Sequence, residues 1–323
     1  MLLHKGFAPV MALTLLGSAA SAFAMPVPPP PAETTTDIRI ADSDVYPESL
    51  SNDSAGHLYI GSLKGIVFRS APGADTAEAW IRPNAENGLL GILGVLVDEK
   101  TGTLWLCSSP APFRNPPAVG ISSLKAFDLA SGAFKASYPF PAPASACNDI
   151  AVAKDGTLFV TDTPNGRILT LKPGAKALAL FAEDARLRGI DGIAFAGDGT
   201  LYINNVATQK MMRIERKPDG AFAGLTELAL SQPVSGPDGL RPIGGHNFLQ
   251  AEGTSGQITK VTIKGDRATI TVLRDGLISS PAMTLVGGTI YALEGKIGYL
   301  VDPKLKGQDP GPFFVRAIPF DGE

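Results

Sequence analysis

Four polar residues recur at the same place in a repeated sequence pattern. Glu48, Asn148, Asp191 and Asp238 each stand eight positions before a residue in a glycine-rich turn, with a short apolar segment between. The corresponding turn residues are Gly56, Gly156, Gly199 and His246. If the repeats are arranged radially, the four side chains point to one centre. Three carboxylates and an amide at one centre predict a cation site.

The repeat itself predicts the fold. Each copy is a strand, a tight turn and a second strand, which is the pattern of a β-hairpin. Two of the copies carry Leu93 and Ser280 where the others carry an acid or amide. The six copies are 47–62, 93–109, 148–163, 191–206, 237–253 and 280–295. Repeats of roughly 40 to 55 residues predict an all-β, six-bladed β-propeller, whose sheets bury their faces against one another. We expect the segment 37–41 to close the ring with the last strand.

Composition limits the classes of function. The chain has 323 residues with 36 Gly and 27 Pro, as expected for many tight turns. A net charge of −3, with no basic cluster, argues against a nucleic-acid partner. A propeller of this length can be one domain, which we place at 37–323.

The N-terminus predicts export. Residues 1–24 contain a basic start, a short apolar run and an A-x-A cleavage pattern ending at Ala24. The apolar run is too short to cross about 30 Å of hydrocarbon. We therefore expect cleavage after Ala24, a Pro-rich leader at 25–36, a periplasmic or secreted protein, and no stable membrane association. In an oxidising compartment Cys107 and Cys147 either form a disulfide or remain two buried thiols.

An ordered set of short motifs carries a family resemblance. It consists of Pro-Glu at Glu48, Asn-Asp at Asn148, and Asp-Gly pairs at Asp191 and Asp238. Over residues 44–302 the chain resembles the senescence marker protein / gluconolactonase / luciferin-regenerating enzyme family. The resemblance implies a six-bladed propeller with one divalent cation in its channel and, in many members, lactone or ester hydrolysis. It also implies Glu48, Asp191 and Asp238 as metal ligands, Asn148 as a substrate-holding residue, and Asp238 as general base.

The chain departs from the sugar-lactonase pattern at two positions. Asp191 stands where that pattern often has Asn, and Ala146 stands where it often has a substrate-binding Arg. The flanking segment 141–147 is small and apolar. These changes argue against a sugar-acid lactone and leave a less polar small-molecule lactone or ester.

The chemistry of the ligands indicates which ion to expect. Oxygen ligands favour Ca²⁺ first, with Mg²⁺, Mn²⁺ or Zn²⁺ as alternatives. Without a cation, three converging carboxylates would repel and at least one would bind a proton. The alternative is that Asp191 and Asp238 cap turns or pair with Arg188 and Arg241, because Asp-Gly is a common turn pair.

A hydrolytic mechanism follows from these assignments. The cation would polarise the carbonyl group, Asp238 would take a proton from water, and Asn148 would donate a hydrogen bond to the substrate. His57 and His246 follow hairpin turns, so we expect them on the opposite face. Further expected substrate contacts are Asn205 and Glu252 at strand ends and Arg114 in the Pro-rich loop 110–120.

Two other functions remain open from the sequence. One is a non-catalytic binding propeller, or a pseudoenzyme, in which Ca²⁺ is structural because a central ion would tie several blades together. The other is a strictosidine-synthase-like enzyme that uses Glu252 or Glu294. The sequence names neither the substrate nor the oligomeric state.

Overall fold

A computed structural model describes residues 36–111, 119–141 and 144–322, together with Leu2. The predicted signal peptide and the leader up to residue 35 otherwise lie outside these residues, as does Arg114. Within the described part of the chain, no helix is long and apolar enough to cross a membrane.

Regular structure in the described residues is almost entirely β-strand. The helices are one short α-helix, α1 (Gly298–Val301), and a 3-10 turn at Ala185–Leu187. The strands are β1 (Ile38–Ile40), β2 (Pro47–Asn52), β3 (Leu58–Ser62), β4 (Val67–Ser70), β5 (Thr76–Ile81), β6 (Gly91–Asp98), β7 (Thr103–Ser109), β8 (Ser123–Asp128), β9 (Phe134–Pro139), β10 (Cys147–Val152), β11 (Leu158–Asp162), β12 (Arg167–Leu171), β13 (Ala179–Glu183), β14 (Ile190–Phe195), β15 (Leu201–Asn205), β16 (Lys210–Arg216), β17 (Phe222–Glu227), β18 (Ala229–Leu230), β19 (Pro237–Gly244), β20 (Asn247–Glu252), β21 (Gln257–Lys264), β22 (Arg267–Arg274), β23 (Met283–Val286), β24 (Thr289–Leu293) and β25 (Phe314–Pro319).

Most sheets are built from consecutive antiparallel strands. The strands β6–β9, β10–β13 and β14–β17 form three four-stranded sheets, and β19–β22 form a fourth sheet to which β18 adds in parallel. The tight turns predicted from the glycine pattern join these strands; Gly156, for example, has a φ of 86°, which favours glycine.

The remaining sheet has eight strands in the order β2-β3-β4-β5-β1-β25-β24-β23. Its two halves meet at β1, which pairs antiparallel with β25 through Ile38 and Val315. The same strand makes a short parallel pairing with β5 through Arg39 and Thr76. The predicted pairing of segment 37–41 with the last strand is therefore confirmed.

Apolar side chains pack between successive sheets. The buried residues form six clusters in the described chain, each drawing on two neighbouring groups of strands. In one of them Leu124 of β8 packs with Ile150 of β10, and in another Phe68 of β4 packs with Leu293 of β24. Each sheet therefore buries both faces against its neighbours, which a single sheet cannot do alone.

A disulfide joins two of the neighbouring sheets. Cys107 in β7 is bonded to Cys147 at the start of β10, and both residues are fully buried. Of the two states that the sequence left open, the structure has the bridge. It lies directly beside Asn148, one of the predicted site residues.

The bridge should contribute measurably to stability. The two cysteines are 40 residues apart, and closing such a loop lowers the entropy of the unfolded chain by an amount worth about 4 kcal/mol. We expect the Cys107→Ala, Cys147→Ala variant to lose about that free energy of unfolding in urea titrations. Wild-type protein unfolded with a reducing agent should show a similar loss. A loss below about 1 kcal/mol would contradict this entropic effect.

Candidate functional site

The first strands of five groups carry a bulge near their start. The register of pairing is irregular in β2, β6, β10, β14 and β19. The irregularities fall at Glu48, Leu93, Asn148, Asp191 and Asp238. A bulge inserts one residue and re-aims a side chain. Each bulge therefore gives its side chain a different direction from the one that regular alternation along the strand would give.

The structure brings the four repeat residues together. Glu48, Asn148, Asp191 and Asp238 line one small cavity, along with Leu93 and others. The volume open to the centre of a water molecule is about 10 Å³, which is room for about one water or one ion. Asn148 and Asp191 are buried, whereas Glu48 and Asp238 are partly exposed.

The glycines of the Asp-Gly pairs serve close packing rather than turns. Asp191 and Asp238 lie within β14 and β19, so the alternative that they cap turns is wrong. A Cβ atom on Gly192 would lie 2.4 Å from the carbonyl oxygen of Asp238, and one on Gly94 would lie 2.1 Å from that of Asn148. Only glycine lets these first strands approach each other so closely.

A methyl group at Gly192 should therefore disturb the site. We expect Gly192→Ala to lower the free energy of unfolding by about 1–3 kcal/mol, because a backbone carbonyl must move. Chemical denaturation of the variant measures this change. Gly298→Ala is the matched control, since its added Cβ would meet only the side chain of Leu305 at 3.4 Å. Equal stability of Gly192→Ala and wild type would show that the strands are not packed as described.

Two further residues, Asp149 and Arg241, belong to the site and were not predicted there. Asp149 Oδ2 accepts hydrogen bonds from the backbone N–H of Ile193 at 3.1 Å and from Arg241 Nη1 at 2.9 Å. The Asp149 and Arg241 side chains are only 5% and 13% exposed. One carboxylate thus links β10, β14 and β19, the strands that carry Asn148, Asp191 and Asp238. Arg241 pairs with Asp149, and neither Asp191 nor Asp238 has an ion pair among the described residues.

The sequence contained a signal for Asp149, although regular strand geometry concealed it. Successive side chains of a strand point to opposite faces, so Asn148 and Asp149 were not expected to face the same cavity. The bulge in β10 breaks that alternation and lets both line it. An acid directly after a predicted site residue at a strand start is therefore worth testing as a site residue.

Second strands hold the first strands in place. Thr161 Oγ1 in β11 donates to the carbonyl oxygen of Asp191 at 3.1 Å, across two sheets. Asn204 Nδ2 in β15 donates to the carbonyl oxygen of Asp238 at 2.6 Å. Asn148 Nδ2 donates to Thr163 Oγ1 at 3.0 Å, which orients the amide. Neutral side chains on one sheet therefore fix the backbone of the next.

The carboxylates are crowded and largely shielded from water. Burial first, and then the charge of Asp238, raise the pKa of Glu48 well above its ordinary value. Burial and the charge of Asp149 raise the pKa of Asp191 to about 7. Burial and the charge of Asp191 raise the pKa of Asp238 well above its ordinary value. The single guanidinium of Arg241 does not offset four carboxyl groups, so the cluster retains protons when no other cation is present.

The donor set fits a hard divalent cation. Glu48 Oε2, Asp149 Oδ1 and Arg241 Nε are buried without a hydrogen-bond partner, although such atoms are normally paired. The acceptors in the cavity are all oxygen atoms, as Ca²⁺ or Mg²⁺ requires. Within the described residues, no three His, Cys, Asp or Glu side chains are already arranged as a set of metal ligands.

The expected substrate contacts Asn205 and Glu252 lie outside the residues that line this cavity. Asn205 is fully buried, and its side chain bonds the backbone of the neighbouring loops, including the carbonyl oxygen of Arg188 at 2.9 Å. Glu252 is 2% exposed and accepts hydrogen bonds from Ser235 N and Thr259 Oγ1. Both side chains hold loops at this end of the sheets. Their contact with a substrate, like that of Arg114, stays a prediction.

The two described histidines take no part in the cavity. His57 Nδ1 lies 2.9 Å from Asp53 Oδ2, and His246 Nδ1 lies 3.2 Å from the hydroxyl of Tyr202. Both follow hairpin turns at the far ends of the first strands. A histidine base at the carboxylate cluster therefore has no counterpart in the described chain.

Comparison with known proteins identifies the fold alone. No family model matches the chain, and no curated protein matches it in sequence. A luciferin-regenerating enzyme has a TM-score of 0.62 at 11% identity, covering 87% of this chain and 94% of its own. A putative gluconolactonase has a TM-score of 0.61 at 15% identity, covering 90% of this chain and 95% of its own. A catalytically inactive virginiamycin B lyase from Staphylococcus aureus has a TM-score of 0.59 at 16% identity, covering 79% of this chain and 80% of its own. These likenesses show an all-β, propeller-like fold, one that several enzymes share.

The raised pKa values predict how stability depends on pH when no divalent ion is present. The folded state keeps the Asp191 proton up to about pH 7, whereas the unfolded chain releases it near the ordinary value of 3.8. Stability from this group is therefore complete below that value and is lost as pH rises through about 7. We expect the melting temperature in EDTA to fall across this interval.

The fall should be smaller in Asp191→Asn than in wild type, because the amide does not titrate. Asp275→Asn, at an exposed position, is the control and should follow the wild type. Thermal unfolding monitored by circular dichroism at a series of pH values makes the comparison. Equal slopes for wild type and Asp191→Asn would contradict the assigned protonation.

Proposed function

We propose that the protein is a divalent-cation-dependent hydrolase of a lactone or ester, built on a six-bladed β-propeller. One observation carries the proposal. Four buried or partly buried carboxylates share a cavity for about one ion with a single guanidinium. Maintaining such a cluster costs stability, so it is expected where a cation or a reaction uses it.

The arrangement of the core supports six blades. The eight-stranded sheet divides into β2–β5 and the group β23, β24, β25 and β1. Among the described residues, the two groups are joined by strand pairing only through the short parallel pairing of β1 with β5. Counted this way, six blades are separated by six apolar clusters, and the cluster with Phe68 and Leu293 joins the last blade to the first. Together with the ordered motifs, this supports distant membership of the gluconolactonase-like family.

Glu48, Asp191 and Asp238 are the residues that would hold the ion, with Asn148 beside them. When bound, a Ca²⁺ or similar ion supplies Lewis-acid polarisation of the ester carbonyl. Asp238 is partly exposed, so the water molecule that attacks the substrate can reach its carboxylate. Burial raises the pKa of Asp238, which makes this carboxylate a stronger base. Asp238 takes a proton as the water oxygen adds to the carbonyl carbon. The alkoxy C–O bond then breaks, and the proton passes to the departing oxygen to give a hydroxy acid, or an acid and an alcohol.

A structural ion in a binding module is the second candidate, and one observation favours it. The cavity is small, and the Asp149 contacts already tie three sheets together around it. A cation there would cross-link the same sheets. For the strictosidine-synthase-like alternative, Glu252 is bonded to a loop and Glu294 is paired with Arg316 at 2.7 Å, so no observation favours it.

Export is part of the proposal. The cleavage pattern at Ala24 and the Cys107–Cys147 bridge support a periplasmic or secreted protein, since disulfides persist in oxidising compartments.

Hydrolysis of a panel of lactones and aryl esters by the mature chain tests the function. Activity should disappear in EDTA and return with one of Ca²⁺, Mg²⁺, Mn²⁺ or Zn²⁺. Asp238→Ala should lower kcat/KM by about 100-fold or more, because it removes both the base and a ligand. Asp275→Asn is the matched control, as an exposed acid that does not line the cavity.

Other results would redirect the assignment. If no ion supports turnover but one raises the melting temperature, the ion is structural and the binding module is the better description. If Asp238→Ala retains wild-type activity, Asp238 is not the base and the mechanism above is wrong.

A further inference from the structure

A second pocket lies at the end of the sheets opposite the carboxylate cavity. It is formed between the sheet β10–β13 and the sheet β14–β17, and its volume is about 700 Å³. The cavity takes residues from the starts of β10 and β14, whereas this pocket takes residues that follow the ends of the same strands, such as Lys154 and Gly199. Every lining residue lies in the continuous described range 144–322. The volume is that of a small-molecule site.

Aromatic rings from both sheets form the apolar wall of this pocket. Two come from each sheet: Phe159, Phe181, Phe195 and Phe222. The ring centroid of Phe159 lies 4.9 Å from that of Phe181 and 5.2 Å from that of Phe195, in both cases edge to face. Phe159 is buried, and the other three rings are partly exposed. A wall of this kind favours contact with a further flat aromatic ring.

Small side chains leave the space between the two sheets open. Ala153 and Ala196 come directly after β10 and β14, at equivalent places in the sequence repeat, and both line the pocket. The matching positions of two other repeats hold the larger residues Asp53 and Ile243. Ala179, at the start of β13, adds a third small side chain to the lining. These repeats therefore leave room where two others carry larger side chains.

The mouth of the pocket carries an excess of positive charge. Asp155 Oδ1 accepts a hydrogen bond from Thr157 N at 2.9 Å, and Asp219 Oδ1 accepts one from Ala221 N at 3.0 Å, so both acids cap turns. Three cations against these two carboxylates leave one positive charge, which a monoanion would balance. The charged lining residues, all exposed, are Lys154, Asp155, Lys172, Arg216 and Asp219.

One of these cations lies against the aromatic wall. The guanidinium carbon of Arg216 is 5.6 Å from the ring centroid of Phe195, and Arg216 also donates a hydrogen bond to the carbonyl oxygen of Gly199. These two contacts hold a positive charge beside the rings. A ligand whose ring lies on the phenylalanines would therefore bring an attached anionic group close to Arg216.

We propose that this pocket binds an aromatic carboxylate, with its ring among the four phenylalanines and its carboxylate at the basic mouth. The rings would recognise the flat apolar part of the ligand, and the excess cation would select an acid over a neutral or cationic analogue. The proposal does not rest on the hydrolase function, because neither the carboxylate cavity nor a cation bound there takes part.

Titration calorimetry with 2-naphthoate and its neutral analogue 2-naphthamide tests the proposal. The mature chain is titrated in EDTA, so that no metal ion at the carboxylate cavity recruits the carboxylate. We expect saturable one-to-one binding of 2-naphthoate, several-fold tighter than that of the amide. Lys172→Gln should weaken 2-naphthoate binding by about two- to fivefold and leave amide binding unchanged. Lys176→Gln is the matched control, as an exposed lysine that does not line the pocket.

A second variant tests the aromatic wall. Phe222→Ala should weaken the binding of both ligands to a similar extent, by about two- to tenfold, because it removes a ring contact that does not depend on charge. Phe134→Ala is the control, since Phe134 is also a partly exposed phenylalanine on the fourth strand of its sheet but does not line the pocket.

Three results would overturn the proposal. The first is an absence of saturable 2-naphthoate binding, or equal affinity for the carboxylate and the amide. The second is tighter binding of 2-naphthylmethylammonium than of 2-naphthoate, because the two acids would then determine the preference for charge. The third is 2-naphthoate binding that neither Lys172→Gln nor Phe222→Ala weakens, because the ligand would then bind elsewhere.

Discussion

The site depends on how four carboxylates are kept together in a region of low water access. Burial and mutual repulsion raise the pKa of Glu48, Asp191 and Asp238, and the guanidinium of Arg241 is paired with Asp149. The folded chain tolerates the resulting loss of stability because other contacts fix the backbone positions of these residues. Asp149 links three sheets, and Thr161 and Asn204 donate to the carbonyl oxygens of the acidic residues themselves. The crowding is thus imposed by well-paired neighbours, as is typical of functional sites.

Bulges and glycines explain why the acids can converge. A regular strand would direct only alternate side chains to the centre, whereas the bulges at the strand starts re-aim the site residues individually. Gly94 and Gly192 then allow neighbouring first strands to pack at distances that a Cβ atom would prevent. One first strand is different, because β6 brings Leu93 into the cavity at the position where β2, β14 and β19 bring an acid.

The sequence predicted the features that depend on period and spacing. The hairpin repeat, the pairing of the chain ends and the convergence of Glu48, Asn148, Asp191 and Asp238 all follow from positions in a repeat, and the structure contains each of them. Features that depend on local irregularity were missed. Asp149 enters the cavity only because β10 is bulged, and Arg241 reaches it from β19. Likewise Asn205 and Glu252 stand at the expected strand ends, but the loops that fold over them use their hydrogen-bonding capacity. Loop conformation is not encoded in the repeat, so sequence spacing could not reveal it.

The central claim is that this cluster of carboxylates holds one divalent cation. Anomalous diffraction at the manganese edge, from crystals of the mature chain grown with Mn²⁺, tests it directly. The account predicts one strong peak within about 2.0–2.6 Å of oxygen atoms of Glu48, Asp191 and Asp238. A clear map without a peak in this cavity, or with Mn²⁺ bound only elsewhere, would contradict it.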